Sequence, residues 1–192
     1  MNRLGPLVGI AFLLSACGEP EVAEVPSPVE PTRDAIGYYC SMTVVDHPGP
    51  KGQIHLAGKT QPVWFSSVRD TVAFTMLPEE PKDITAIYVN DMGRAKTWAR
   101  PEAGTWLRAR DAWYVVGSSR RGGMGAPEPV PFGNQDAART FAGEHGGRVV
   151  AFIDIPRAAI LGTEDAETAD KRAAMPSAAD GQAEHLHGGH KH

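Results

Sequence analysis

The sequence predicts an α+β fold, with two similar strand–strand–helix halves packed as one small domain between an unstructured N-terminal spacer and an unstructured C-terminal tail. Three observations lead there. Strand-like and helix-like apolar patches alternate through residues 34–161 of the 192-residue chain. Pro62-Val63-Trp64-Phe65-Ser66-Ser67, followed by Val68, Val72 and Phe74, aligns without a gap to Pro129-Val130-Pro131-Phe132-Gly133-Asn134, followed by Gln135, Arg139 and Phe141. Outside 34–161 the apolar periodicity disappears at both ends.

In chain order, residues 1–16 read as a signal segment. Asn2-Arg3 and a short apolar run lead to Leu14-Ser15-Ala16-Cys17, a bacterial lipoprotein cleavage box. Cys17 then becomes the first residue of the mature chain and carries the acyl chains, which places the protein outside the cytoplasm on a lipid tether. Either membrane is compatible with this signal. Residues 17–33, rich in Glu, Pro, Val and Ala, form an extended spacer.

The first half, about 37–90, offers strands at 38–45 and 52–56, then the short strand before Ser67 and a helix that begins there. A further strand follows at 84–89. The second half, about 104–156, offers strands at 105–109 and 113–116, the strand before Asn134, its helix, and a last strand over 148–154. Ser67 and Asn134 are both good N-cap residues, so the helix starts are set by local chemistry. Residues 162–192 hold Ala, Asp, Glu and Gly with four of the seven histidines, His185, His187, His190 and His192. Such a tract gathers divalent ions without geometric selection.

A formal net charge of −4 provides no electrostatic case for nucleic acid. Lipidation consumes one of the two cysteines, so Cys40 is left as a lone thiol and a disulfide framework is excluded. No Cys-x-x-Cys pair, Gly-x-Ser-x-Gly elbow or His-Glu-x-x-His helix is present, and no enzyme is expected. Cys40-Ser41-Met42 sits in a strand-like context, where residues two apart share a face, so a thiolate and a thioether converge. Both are soft donors, the combination preferred by Cu(I). Two donors are too few. Met124, in Arg120-Arg121-Gly122-Gly123-Met124-Gly125-Ala126-Pro127, is the best third: its glycines and proline leave a methionine displayed on a loop. His47, His55 and Met92 are weaker candidates. The alternative is a buried Cys40 that acts as a small hydrophobe in a lipoprotein adaptor.

Tyr39-Cys40-Ser41-Met42-Thr43-Val44, Gln53-Ile54-His55-Leu56, Gly58-Lys59-Thr60, Val63-Trp64-Phe65-Ser66 and the glycine-rich loop around Met124 resemble the NosL family of copper-binding lipoproteins, accessory to nitrous-oxide reductase. The resemblance covers most of 34–161. It implies a Cu(I)-carrying metallochaperone whose ligands are Cys40, Met42 and Met124. It further implies partnership with nitrous-oxide reductase or its membrane and periplasmic assembly factors, and halves like those of an organomercurial lyase domain. The first half also resembles YHS or TRASH metal-binding domains, which suggest a scavenger or sensor. Those carry a second cysteine near the position of Ser66, and its absence disfavours a two-thiolate zinc site.

Overall fold

The computed structural model describes residues 25–162. The signal segment, Cys17 and the histidines of the tail lie outside the described residues. In chain order the regular elements are β1 (Gly52–Leu56), β2 (Val63–Phe65), α1 (Val68–Met76), β3 (Ile84–Asn90), β4 (Trp106–Arg108), β5 (Trp113–Val116), β6 (Val130–Phe132), α2 (Gln135–His145), β7 (Arg148–Ala151) and α3 (Arg157–Leu161). They form an α+β domain with two antiparallel sheets, ordered β2-β1-β3-β4 and β6-β5-β7.

The repeat in the sequence is a repeat in topology. Each half places its first strand in the centre, its second on one side, and its third, reached through the helix, on the other. The two helices begin for the same local reason. Ser67 Oγ accepts a hydrogen bond from the Asp70 amide, and Asn134 Oδ1 accepts from the Asp136 and Ala137 amides, so the caps satisfy otherwise orphaned donors.

The two halves share one core. Ile54, Leu56 and Phe65 of the first sheet, Val72 and Phe74 of α1, and Ile160 and Leu161 of α3 join Tyr114, Val116 and Val150 of the second sheet in a single buried cluster. At ~25 cal/mol per Å2 of apolar surface, burial on this scale is the main favourable term holding the halves together. α2 covers the other face of the second sheet through Ala138 and Phe141, packed on Val115, Val130 and Phe132.

Four expectations need correction. Residues 38–45 do not form a strand: Ile36 and Thr43 make an isolated bridge that closes a turn, and Val44–Asp46 is a 3-10 turn. β4 does not belong to the second half. It pairs with β3, because the chain returns antiparallel through 91–105 and lays Trp106 against Trp64, with ring centroids 6.2 Å apart. The last strand stops at Ala151, and Phe152–Asp154 is another 3-10 turn. The spacer ends before residue 33: the Gln53 amide pairs both ways with the Val29 backbone at 2.8 Å, Tyr88 Oη donates to the Pro26 carbonyl at 2.6 Å, and Glu30 accepts from the Gly104 amide. This segment covers the face of the first sheet opposite α1, which explains why all five residues of β1 are buried.

Candidate metal centre

Cys40 and Met42 are carried by the turn that replaces the expected strand. The Gly37 amide donates to the Met42 carbonyl and the Ser41 amide donates to the Gly37 carbonyl, both at 2.8 Å, while the Tyr38 amide ties the turn to the Trp64 carbonyl of β2. Ser41 adopts φ 55°, the left-handed region that a small polar residue tolerates in a tight turn. Alternation along a strand therefore does not bring Cys40 and Met42 together; they share a closed turn of the backbone.

Aromatic packing fixes that turn. The Tyr38 ring meets Phe74 edge-on with centroids 5.4 Å apart, and Tyr39 leans on Phe65 at 5.8 Å. Both phenols donate to the Glu80 carboxylate, at 3.1 and 2.7 Å. The hydrogen bond to Glu80 raises the Tyr38 pKa; burial first and then Glu80 raise that of Tyr39. Both therefore remain protonated donors at neutral pH. Cys40 Sγ, half-buried, shares a hydrogen bond of 3.3 Å with Ser66 Oγ, at the junction of β2 and α1.

The loop around Met124 is a small hairpin. Arg121 bridges Pro127, the Gly122 amide donates to the Ala126 carbonyl, and the Gly125 amide donates back to Gly122, so Met124 stands at the tip with 43 % of its surface exposed. Gly123 lets this tip lie flat on the first half, and Gly122 leaves room for the Glu128 side chain within the hairpin. A Cβ on Gly123 would fall 2.6 Å from the Ser66 carbonyl oxygen and 2.7 Å from His47 Cβ; one on Gly122 would fall 1.6 Å from Glu128 Oε2. Ser66 thus touches Cys40 through its hydroxyl and the Met124 hairpin through its carbonyl.

His47 lies on the same rim. Its Nδ1 is 3.2 Å from the Gly123 carbonyl, which can only accept, so Nδ1 donates in that bond and Nε2 is the ring nitrogen not engaged in it. The two remaining weaker candidates are elsewhere. His55 is buried in β1, bonds to Gln53 at 3.1 Å and meets Tyr88 edge-on, with burial lowering its pKa. It points to the face covered by the N-terminal segment and is corrected to a core residue. Met92 packs on the cluster under α2 and is likewise corrected to a packing residue.

Sequence reasoning missed two buried charges. Glu128, 2 % exposed, stands between two prolines in an otherwise unremarkable loop; Lys51, 6 % exposed, precedes β1. Burial pushes the Glu128 carboxyl up to about 8 and the Lys51 ammonium down to about 8, and the attraction between the two offsets only part of that. No local pattern marks either residue as buried.

Among the described residues no three His, Cys, Asp or Glu side chains converge to hold a metal ion. A hard cation that needs several carboxylates finds no cage among these residues. The two loops that meet at Ser66 carry sulfur, Cys40 and Met42 on the turn and Met124 on the hairpin, and His47 contacts the hairpin at Gly123. Met42, 42 % exposed, and Met124 leave these donors accessible from outside.

A family model described as NosL matches residues 28–160. Two curated proteins named copper-binding lipoprotein NosL are similar to this chain. The one from Achromobacter cycloclastes is 51 % identical over 150 residues, 78 % of this chain and 77 % of its own. The one from Stutzerimonas stutzeri is 37 % identical over 166 residues, 82 % of this chain and 84 % of its own. Among solved structures, the crystal structure of the copper chaperone NosL from Shewanella denitrificans matches with a TM-score of 0.65 and 31 % identity, over 69 % of this chain and 97 % of that one.

Proposed function

The chain belongs to the NosL family, and on that premise we propose that it is a Cu(I)-carrying metallochaperone, lipid-anchored through Cys17 on the periplasmic face of a bacterial membrane. Its cargo is handed on toward the copper centres of nitrous-oxide reductase, directly or through membrane and periplasmic assembly factors. It is not an enzyme. One observation carries the reading. Gly123, next to Met124 at the hairpin tip, packs on Ser66, whose hydroxyl bonds to the Cys40 sulfur, which supports a site shared by the two loops that carry the three proposed sulfur donors.

Soft donors favour Cu(I) over zinc, which prefers thiolates and imidazoles, and over calcium or magnesium, which need oxygens. Exposure of the two thioethers suits transfer. A sulfur of the recipient can enter the coordination sphere before Cys40 leaves it, so the ion need not pass through water. His47 is a weaker candidate donor through Nε2, and the tail histidines are a further tract that gathers divalent ions.

Met124→Ala tests the arrangement. One neutral ligand is lost from an exposed tip, so Cu(I) binding weakens while the melting temperature of the copper-free protein hardly moves. X-ray absorption of the copper-loaded mutant should show one sulfur scatterer fewer. An unchanged copper spectrum with a large loss of apo stability would mean that Met124 is a packing residue. The anchor is tested separately: Cys17→Ala should leave the washed membrane fraction for the soluble one, and retention there would overturn the lipoprotein assignment.

A further inference from the structure

The carboxylate of Glu128 joins the Met124 hairpin to the start of α1. Its Oε1 accepts from the Val68 amide at 2.6 Å and from the Arg69 amide at 3.3 Å, two donors that a helix cannot satisfy from within. Ser67 already caps the Asp70 amide, so the first turn of this nine-residue helix is held jointly by its own N-cap and by a residue sixty positions away. The same glutamate closes the hairpin base, where its amide donates to the Arg120 carbonyl at 3.3 Å, and its Oε2 lies against Gly122 at the tip. The residues it grips are neighbours of Ser66, which touches Cys40. At α2, built on the same repeat, the distant carboxylate of Asp91 accepts from the Gly133 amide at 3.0 Å, one residue ahead of the Asn134 cap, whereas Glu128 reaches the first two residues of α1 itself.

Accepting Met124 as a copper ligand, we propose that Glu128 is its positioning residue: by bracing the 120–128 hairpin against the N-terminus of α1, it holds Met124 over the Cys40–Met42 turn. With burial pushing its pKa up to about 8, the carboxyl is largely protonated at neutral pH, and it holds the helix start as a buried hydrogen-bond acceptor for two otherwise orphaned amides. Two other charges face it, Asp70 from α1 and Lys51 from the edge of β1; Lys51 is the attractive one. With the brace gone, the hairpin keeps its own hydrogen bonds but loses its seat, and the Met124 thioether is no longer held at one distance from Cys40.

A double-mutant cycle on the mature full-length protein tests this, with Cu(I) affinity read by competition with bicinchoninate. Glu128→Ala should weaken Cu(I) binding by roughly tenfold, the low end of what loss of a supporting group costs a metal site. In a Met124→Ala background the same substitution should change affinity by less than about twofold, because the ligand it positions is already absent. Glu128→Gln, which keeps the shape and the acceptor, should recover most of the loss. X-ray absorption of copper-loaded Glu128→Ala should show the sulfur shell disordered or reduced in the way Met124→Ala does. If Glu128→Ala does not fold, Gly122→Ala takes its place, since its methyl meets Glu128 Oε2 and lifts the hairpin while leaving the cap residue in the chain.

An effect of Glu128→Ala that persists undiminished without Met124 would overturn the proposal, because the glutamate would then act through the fold at large. So would a Met124→Ala that weakens copper binding beside a Glu128→Ala that does not, and in that case the ligand assignment survives. A Met124→Ala without effect removes the ligand assignment and the positioning role together.

Discussion

Cys40→Ser is expected to cost the most copper affinity of any single substitution, more than the 10–100-fold typical of a supporting group, with the fold left intact. The thiolate is the one charged soft donor on the rim, and a neutral hydroxyl of nearly the same size cannot replace it for Cu(I). Packing tolerates the exchange. Cys40 sits in a turn held by backbone hydrogen bonds from Gly37, Ser41 and Tyr38, and its side-chain partner, the Ser66 hydroxyl, can bond a serine as readily as a thiol. Apo stability should therefore shift by under ~1 kcal/mol. Chelator competition read together with a thermal melt separates the two effects. A folded mutant with undiminished Cu(I) affinity would sink the site.

The largest loss of stability is expected from Gly52→Ala. β1 is flanked by β2 and β3 and cannot shift sideways, and Gly52 lies directly beneath α1. A methyl there would fall 1.9 Å from Thr71 Oγ1, 2.7 Å from its Cγ2 and 2.8 Å from its Cβ. Thr71 is fully buried and donates to the Ser67 carbonyl at 2.8 Å, so it has no free rotamer to move into. α1 must lift away from the sheet, at ~2 kcal/mol or more and a melting-temperature drop on the order of 5–10 °C. Thr71→Ala in the same chain should restore part of this, since it removes Oγ1 and Cγ2 but leaves the Cβ contact. If the two substitutions simply add, the clash is not the cause.

The same contact shows what each level of description can reach. Ser67 and Asn134 announce their helices because a cap is made by a side chain and amides two or three positions on, all in one stretch of chain. The two strand–strand–helix repeats, the extent of β1 and β5, and the display of a methionine on a glycine-rich loop are local in the same sense. So is the chemistry of the donors: a cysteine and two methionines are soft ligands wherever they stand, and that depends on atoms, not on geometry. The lipoprotein box is read as linear sequence by the machinery that cleaves it, and needs no fold at all.

Contacts between distant residues are a different matter. Nothing near Thr105–Ala109 distinguishes a strand for the second sheet from one for the first, because the choice is made by the burial of Trp106 against Trp64, forty-two residues apart in the chain. His55 reads as a candidate ligand until the N-terminal segment is seen to cover its face of the sheet. Residues 26–33 have a composition that looks unstructured, yet they are held by Gln53 and Tyr88. Glu128 has the most ordinary surroundings of all and makes the tightest link between the halves. A buried carboxyl is tolerated where another segment supplies partners, here the amides of Val68 and Arg69 to its Oε1. The sequence by itself determined the helix starts, most of the strands, the repeat and the soft character of the donors. Only tertiary structure decided which loops share a rim, because that depends on free energy distributed over contacts between segments that no local pattern records.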